Sequence, residues 1–109
     1  MFVVILKYEK PIETVMRYLD EHIIFLEKYY ALHKFICSGR KEPRTGGIIL
    51  CNGKDKREIN SIIKEDPFYK NNIAKYEIIE FIPTKYVNGF KEFVIWNILR
   101  SYCIGNIKI

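Results

Sequence analysis

The sequence is short of the residues that staple, ligate or anchor a chain. Its three cysteines, Cys37, Cys51 and Cys103, are odd in number and far apart, and it has only two histidines, His22 and His33. No Cys-x-x-Cys pair and no Cys/His spacing of a zinc site occurs, so neither a metal site nor a disulfide framework is expected. The thiols read as reduced and mostly buried, as in a cytoplasmic protein. No apolar run approaches the roughly 20 residues of a membrane span. The opening run, residues 1–6, turns polar at Lys7, lacks a basic flank and is too short for a secretion signal. Gly46-Gly47 is no phosphate loop, because no Lys-Ser or Lys-Thr follows and no helix pattern begins there. There is no internal repeat and no low-complexity stretch.

Charge of one sign is also thinly spread. The formal net charge is +5, yet residues 1–83 hold 14 Lys+Arg against 12 Asp+Glu, while residues 84–109 hold four against one. A nucleic-acid binder shows a basic stripe interleaved with aromatics. Here the densest cluster, Lys54, Lys56 and Arg57, is diluted by Asp55 and Glu58. Phosphate-driven nucleic-acid binding is therefore not expected.

What the chain has is core. At 109 residues with 49% hydrophobic and 15% aromatic content, it has the length and apolar content of one folded domain and not of a disordered chain. Residues 2–8 are apolar and β-branched, a central strand ended by Lys10-Pro11. A helix is expected over residues 13–31, with Ile12, Val15, Met16, Leu19, Ile23, Leu26 and Tyr30 on one stripe. Strands follow over 34–38 and 47–51, joined by residues 39–46. A second helix is expected over 56–64, and a fourth strand over 74–82. The order is β-α-β-β-α-β, an α+β ferredoxin-like arrangement with both helices on one face of the sheet. Its other face needs a cover, which a second copy of the chain would supply. Residues 90–99 suggest a short helix, and residues 101–109 either a short strand or a disordered end.

Four segments of this frame resemble the YciI-like proteins, a branch of the dimeric α+β barrel superfamily. They are Glu21-His22-Ile23-Ile24-Phe25-Leu26, the stretch from Phe35 through Ser38-Gly39-Arg40 to Leu50, Asp66-Pro67-Phe68, and Tyr76 to Phe81 with Pro83-Thr84-Lys85. The resemblance implies a YciI-like domain over residues 1–93, with residues 94–109 as an extension that is helical or disordered. It implies a homodimer, its sheets packed face to face, and a cleft beside His22 and Asp66 with Ser38 and Gly39 nearby. One branch of the family resembles a dehydrochlorinase of a chlorinated, hydroxylated aromatic ring, acid–base chemistry that uses no cofactor. Two positions depart from the pattern: Arg40 stands where Pro is usual, and His33 where Gly is usual.

The residues allow two readings at several of these positions. His22 falls about 60–80° off the stripe centre, where it either borders a pocket or faces solvent. Asp66 before Pro67 is a good helix N-cap by itself, and a carboxylate is also the group that fixes a histidine tautomer. Arg40, Lys41 and Arg44 either steer an anionic ligand or decorate a solvated loop. Tyr29, Tyr30 and Tyr76 either line the cleft or belong to the core. His33 reads as a helix-end residue favourable to the dipole. The expected function is an acid–base enzyme on a small anionic or phenolic molecule. His22 is its base, Asp66 the orienting partner, and Ser38, Gly39, Arg40 and Arg44 the ligand contacts. The alternative is a non-catalytic ligand-binding or accessory protein. A haem or metal binder is a third class, disfavoured by two isolated histidines. No cofactor, nucleic acid or membrane partner is expected.

Overall fold

A computed structural model describes residues 1–94 of the chain. Of the expected helix over 90–99, residues 91–94 are helical and residues 95–99 lie outside the described residues, as does the 94–109 extension except for Val94. The element order is β1 (Phe2–Tyr8), α1 (Ile12–Arg17), α2 (Leu19–Ala31), β2 (Phe35–Arg40), β3 (Gly46–Cys51), α3 (Lys56–Ile63), α4 (Pro67–Lys70) and β4 (Ala74–Glu80), followed by a 3-10 turn at Asn88–Phe90. The sheet order is β2-β3-β1-β4, antiparallel throughout, which is the ferredoxin-like arrangement with the most apolar strand near its centre.

Strand alternation assigns the two faces. Phe2, Val4 and Leu6 point under the helices with Ile49 and Cys51, and all five are buried. Val15, Phe25, Tyr29, Ile59, Ile62, Ile63 and Phe68 close this core from the helical side. The opposite face carries Val3, Ile5, Ile48, Leu50 and Ile79. Ile48 and Ile79 there are each 43% exposed.

Three expectations are corrected. The single helix over 13–31 is broken at Tyr18, whose backbone N–H bonds Val15 O at 3.1 Å, a tightened turn. Across that break the core stripe runs through Val15, His22, Phe25 and Tyr29, one step round from the expected one. Ile12, Met16 and Ile23 of the expected stripe are exposed. Arg40 belongs to β2 and not to the connection after it, and a bulge between Phe35 and Cys37 resets which β2 side chains face the helices. His33, just past the end of α2, has φ 61, the left-handed conformation that makes Gly the ordinary residue there.

The remaining punctuation follows the side chains. Asp55 caps α3 by accepting from Glu58 N at 2.9 Å, and the Glu58 carboxylate bonds Lys54 N at 2.6 Å and Lys34 Nζ at 2.8 Å. Gly46 is required by close approach: a Cβ there would lie 1.8 Å from the Leu6 carbonyl oxygen.

Candidate active site

The site begins with a proline. Pro67 restricts the residue before it to extended backbone, and Asp66 adopts φ −72, ψ 126. That conformation aims the Asp66 side chain back at the start of α4, where Oδ1 accepts from Phe68 N at 2.9 Å. The same oxygen lies 2.8 Å from His22 Nδ1, and Oδ2 accepts from Tyr76 OH at 2.6 Å. Asp66 is fully buried, so three donors from α2, α4 and β4 hold a carboxylate that water does not reach. Both readings of this aspartate hold together: it caps a helix and it binds the histidine.

His22 sits at the end of the first turn of α2, on the face that carries Phe25 and Tyr29. Its ring stacks on Phe68 with centroids 4.0 Å apart and planes within 2°. The side chain is only 11% exposed, which removes the solvated-surface reading. With Nδ1 donating to Asp66, the neutral ring carries its lone pair on Nε2. A second tether fixes α2 against this corner, because Glu65 accepts from Lys28 Nζ at 2.7 Å and from Tyr29 OH at 2.6 Å.

Tyr76 is held as a donor. Burial first, then the Asp66 charge and hydrogen bond, push its phenol well above the usual tyrosine range. The proton therefore stays on Tyr76, and Asp66 accepts it as a hydrogen bond only.

His22 borders a cleft of about 420 Å³ between α2 and the helix-facing side of the sheet. Ser38, Gly39, Arg40 and Arg44 line the same cleft, with Leu6, Leu19, Ile23, Leu26, Ile49 and Phe68 as apolar wall. The size is that of a small-molecule site. Asp66 stands behind His22 and does not line it. Ser38 Oγ pairs with Tyr30 OH at 2.6 Å, so the serine hydroxyl is bonded to a tyrosine and not to the histidine. The tyrosines divide unexpectedly: Tyr29 is core, Tyr30 holds Ser38, Tyr76 holds Asp66, and Tyr8 lines the cleft.

Sequence reasoning missed Tyr76 as the partner of Asp66 and Phe68 as the plate under His22. Alternation along β4 put Tyr76 on one face, but only the register, Tyr76 opposite Leu6, brings it to Asp66. Among the described residues no group of three His, Cys, Asp or Glu side chains stands close enough to hold a metal ion.

Fold and cleft together define a small ferredoxin-like α+β protein with a buried His–Asp pair at the edge of its pocket. The chain belongs to the YCII-related domain family, which matches residues 1–82. A solved structure of similar fold is the 5-chloro-2-hydroxyhydroquinone dehydrochlorinase TftG from Burkholderia phenoliruptrix AC1100, in complex with 2,5-dihydroxybenzoquinone. It is 18% identical, the match covers 82% of this chain and 98% of that one, and the TM-score is 0.64. No curated protein matches the chain in sequence.

Proposed function

We propose that the protein is an acid–base enzyme acting on a small phenolic or otherwise anionic ring, with His22 as base and Asp66 as its orienting partner. The observation that carries this reading is the 2.8 Å bond between His22 Nδ1 and a carboxylate with no exposed surface, at the edge of a half-open cleft. Such a pair fixes the tautomer and leaves Nε2 to take a proton. In the proposed chemistry His22 takes the proton of a ring hydroxyl as that oxygen becomes a carbonyl, and the imidazolium returns it to the ring carbon that bears the leaving group. His22 then takes the proton of a second ring hydroxyl, the electron pair moves through the ring, and the anionic leaving group departs to leave a quinone. The imidazolium then gives its proton to water. The similar dehydrochlorinase, by its name, acts on a hydroxylated and chlorinated ring, which fits this substrate class. Ser38, Gly39, Arg40 and Arg44 are proposed as ligand contacts because they share the cleft with His22.

The proposal includes a homodimer. Val3, Ile5, Ile48, Leu50 and Ile79 form an apolar sheet face, and a second copy is the cover we propose for it.

The test is turnover of a panel of halogenated hydroxyphenols, followed by halide release. His22→Gln is expected to lower the rate by at least about 100-fold, the typical share of general acid–base help. A panel that binds in the cleft and yields no product would favour the rival reading, a ligand-binding module. The double duty of Asp66 as helix cap is the observation on that side.

A further inference from the structure

The cleft has two ends of opposite character. The sheet register sets Arg40, Gly47, Leu6 and Tyr76 in one row across four strands, all on the helix-facing side. Three strand spacings separate the Cα atoms of Arg40 and Tyr76, about 14 Å. At the β4 end Tyr76 holds Asp66, which holds His22. At the β2 end stand Arg40 and Arg44, both in the cleft lining. Between them the row is Gly47, which has no side chain, and Leu6.

The arginine end lacks its anion. Neither Arg40 nor Arg44 makes an ion pair among the described residues. Among the described residues, buried Arg44 Nε has no hydrogen-bond partner, and the guanidinium bonds only the Met16 thioether, at 3.4 Å from Nη2. A thioether is a weak acceptor, so it holds the guanidinium loosely. No carboxylate lines the cleft, and the hollow on the far side of Arg44 is bordered by Lys7, Lys10 and Lys41. Charged donors left without a partner in a partly closed site are a cost that an anionic ligand removes. The wall between the two ends, Leu19, Ile23, Leu26 and Phe68, suits a flat apolar body.

We propose that the cleft takes an aromatic carboxylate, its carboxylate on Arg44 and Arg40, its ring on the Leu6–Gly47 floor, and its ring hydroxyl toward His22. The assignment rests on the reading of His22 as the reacting end, and it adds a fixed anion remote from the reacting atom. The planar fork of an arginine matches a carboxylate in two parallel bonds. Seating it turns Arg44 away from Met16, which is itself 47% exposed.

The test is an NMR titration with two probes, 2,5-dihydroxybenzoate and hydroquinone, which lacks the carboxylate. Wild type, Arg40→Gln, Arg44→Gln and His22→Gln are compared, each shown to be folded by its amide spectrum. The acid is expected to bind at least about tenfold more tightly than hydroquinone. That preference should fall toward unity in Arg44→Gln, shrink in Arg40→Gln, and survive in His22→Gln. Arg40, at an exposed position, serves the same purpose where Arg44→Gln loses its fold. Equal affinity for the two probes overturns the proposal. So does a preference that persists in the Arg40→Gln/Arg44→Gln double variant, or no binding of the acid up to about 10 mM. A chlorinated 2,5-dihydroxybenzoate that binds as expected but never releases chloride removes the base role of His22 and leaves the carboxylate seat standing. Conversion of phenols without preference for the acid does the reverse.

Discussion

Asp66 shows how one side chain can be over-determined. Its two oxygens serve a helix cap, an imidazole and a phenol, and none of the three donors has water as a substitute. The phenol partner gives a pH signature. Burial and Asp66 hold the Tyr76 phenol well above the ordinary tyrosine range, burial and Glu65 raise Tyr29, and burial pushes the Cys51 thiol up to about 12. All three hold their protons more tightly folded than unfolded. The stability they contribute is therefore complete below the unfolded values and is lost as pH rises through the folded ones. Above about pH 10, urea unfolding should show wild-type stability falling more steeply than that of Tyr76→Phe, by about 1.4 kcal/mol per pH unit for the one proton. At neutral pH wild type is the more stable of the two, since Tyr76→Phe leaves Asp66 Oδ2 buried without its donor, at about 1–3 kcal/mol. Parallel slopes would mean that Tyr76 loses its proton as readily folded as unfolded. At this scale the sequence disclosed His22 and Asp66 through their motifs. It hid Tyr76, because a tyrosine in an alternating strand says nothing about what faces it from another segment.

Among the elements, strands were legible and the helix stripe was displaced by one step. Residues 2–8 are apolar at every position but one, so β1 read directly as a central strand. The break at Tyr18 carries no proline or glycine, and local propensity gives no sign of it. Leu19, Ile23 and Leu26, expected in the core, form a wall of the cleft, with Leu19 and Leu26 half-buried against the core from its edge. The glycines of the hairpin separate by the same logic of contact. Gly46 meets the Leu6 backbone, whereas a Cβ on Gly39 would meet nothing within 4 Å. Gly46→Ala is expected to cost about 3 kcal/mol or more by thermal or urea unfolding. Gly39→Ala should stay within about 0.5 kcal/mol of wild type. A tolerated Gly46→Ala would show that β1 and β3 can separate at that end.

For the whole molecule, the question is what covers the second face of the sheet. Cross-strand partners Val3, Leu50 and Ile79 share that face, with Ile5 and Ile48 in the next row. Lys7, Lys75 and Glu77 mark its polar edge. If a second copy packs there, Ile79→Asp sets a charge in the middle of the interface, and sedimentation should change from a two-chain to a one-chain mass. Ile79 is already 43% exposed in the single chain, so the substitution is not expected to unfold it. A one-chain mass for the wild type at micromolar concentration would end the dimer proposal. The sequence made the need for a cover visible through strand composition, but no residue pattern can by itself say which surface provides it. Among the described residues no helix is long and apolar enough to cross a membrane.

The shared oxygen of Asp66 has one more consequence. Phe68 N–H and His22 Nδ1 converge on the same atom, so the backbone amide of Phe68 is chemically linked to the imidazole. Any fluctuation that frees the carboxylate releases both at once. The deuterium exchange of that single amide therefore reports how often the carboxylate itself swings away and takes the pair apart, and it does so in resting protein without a substrate.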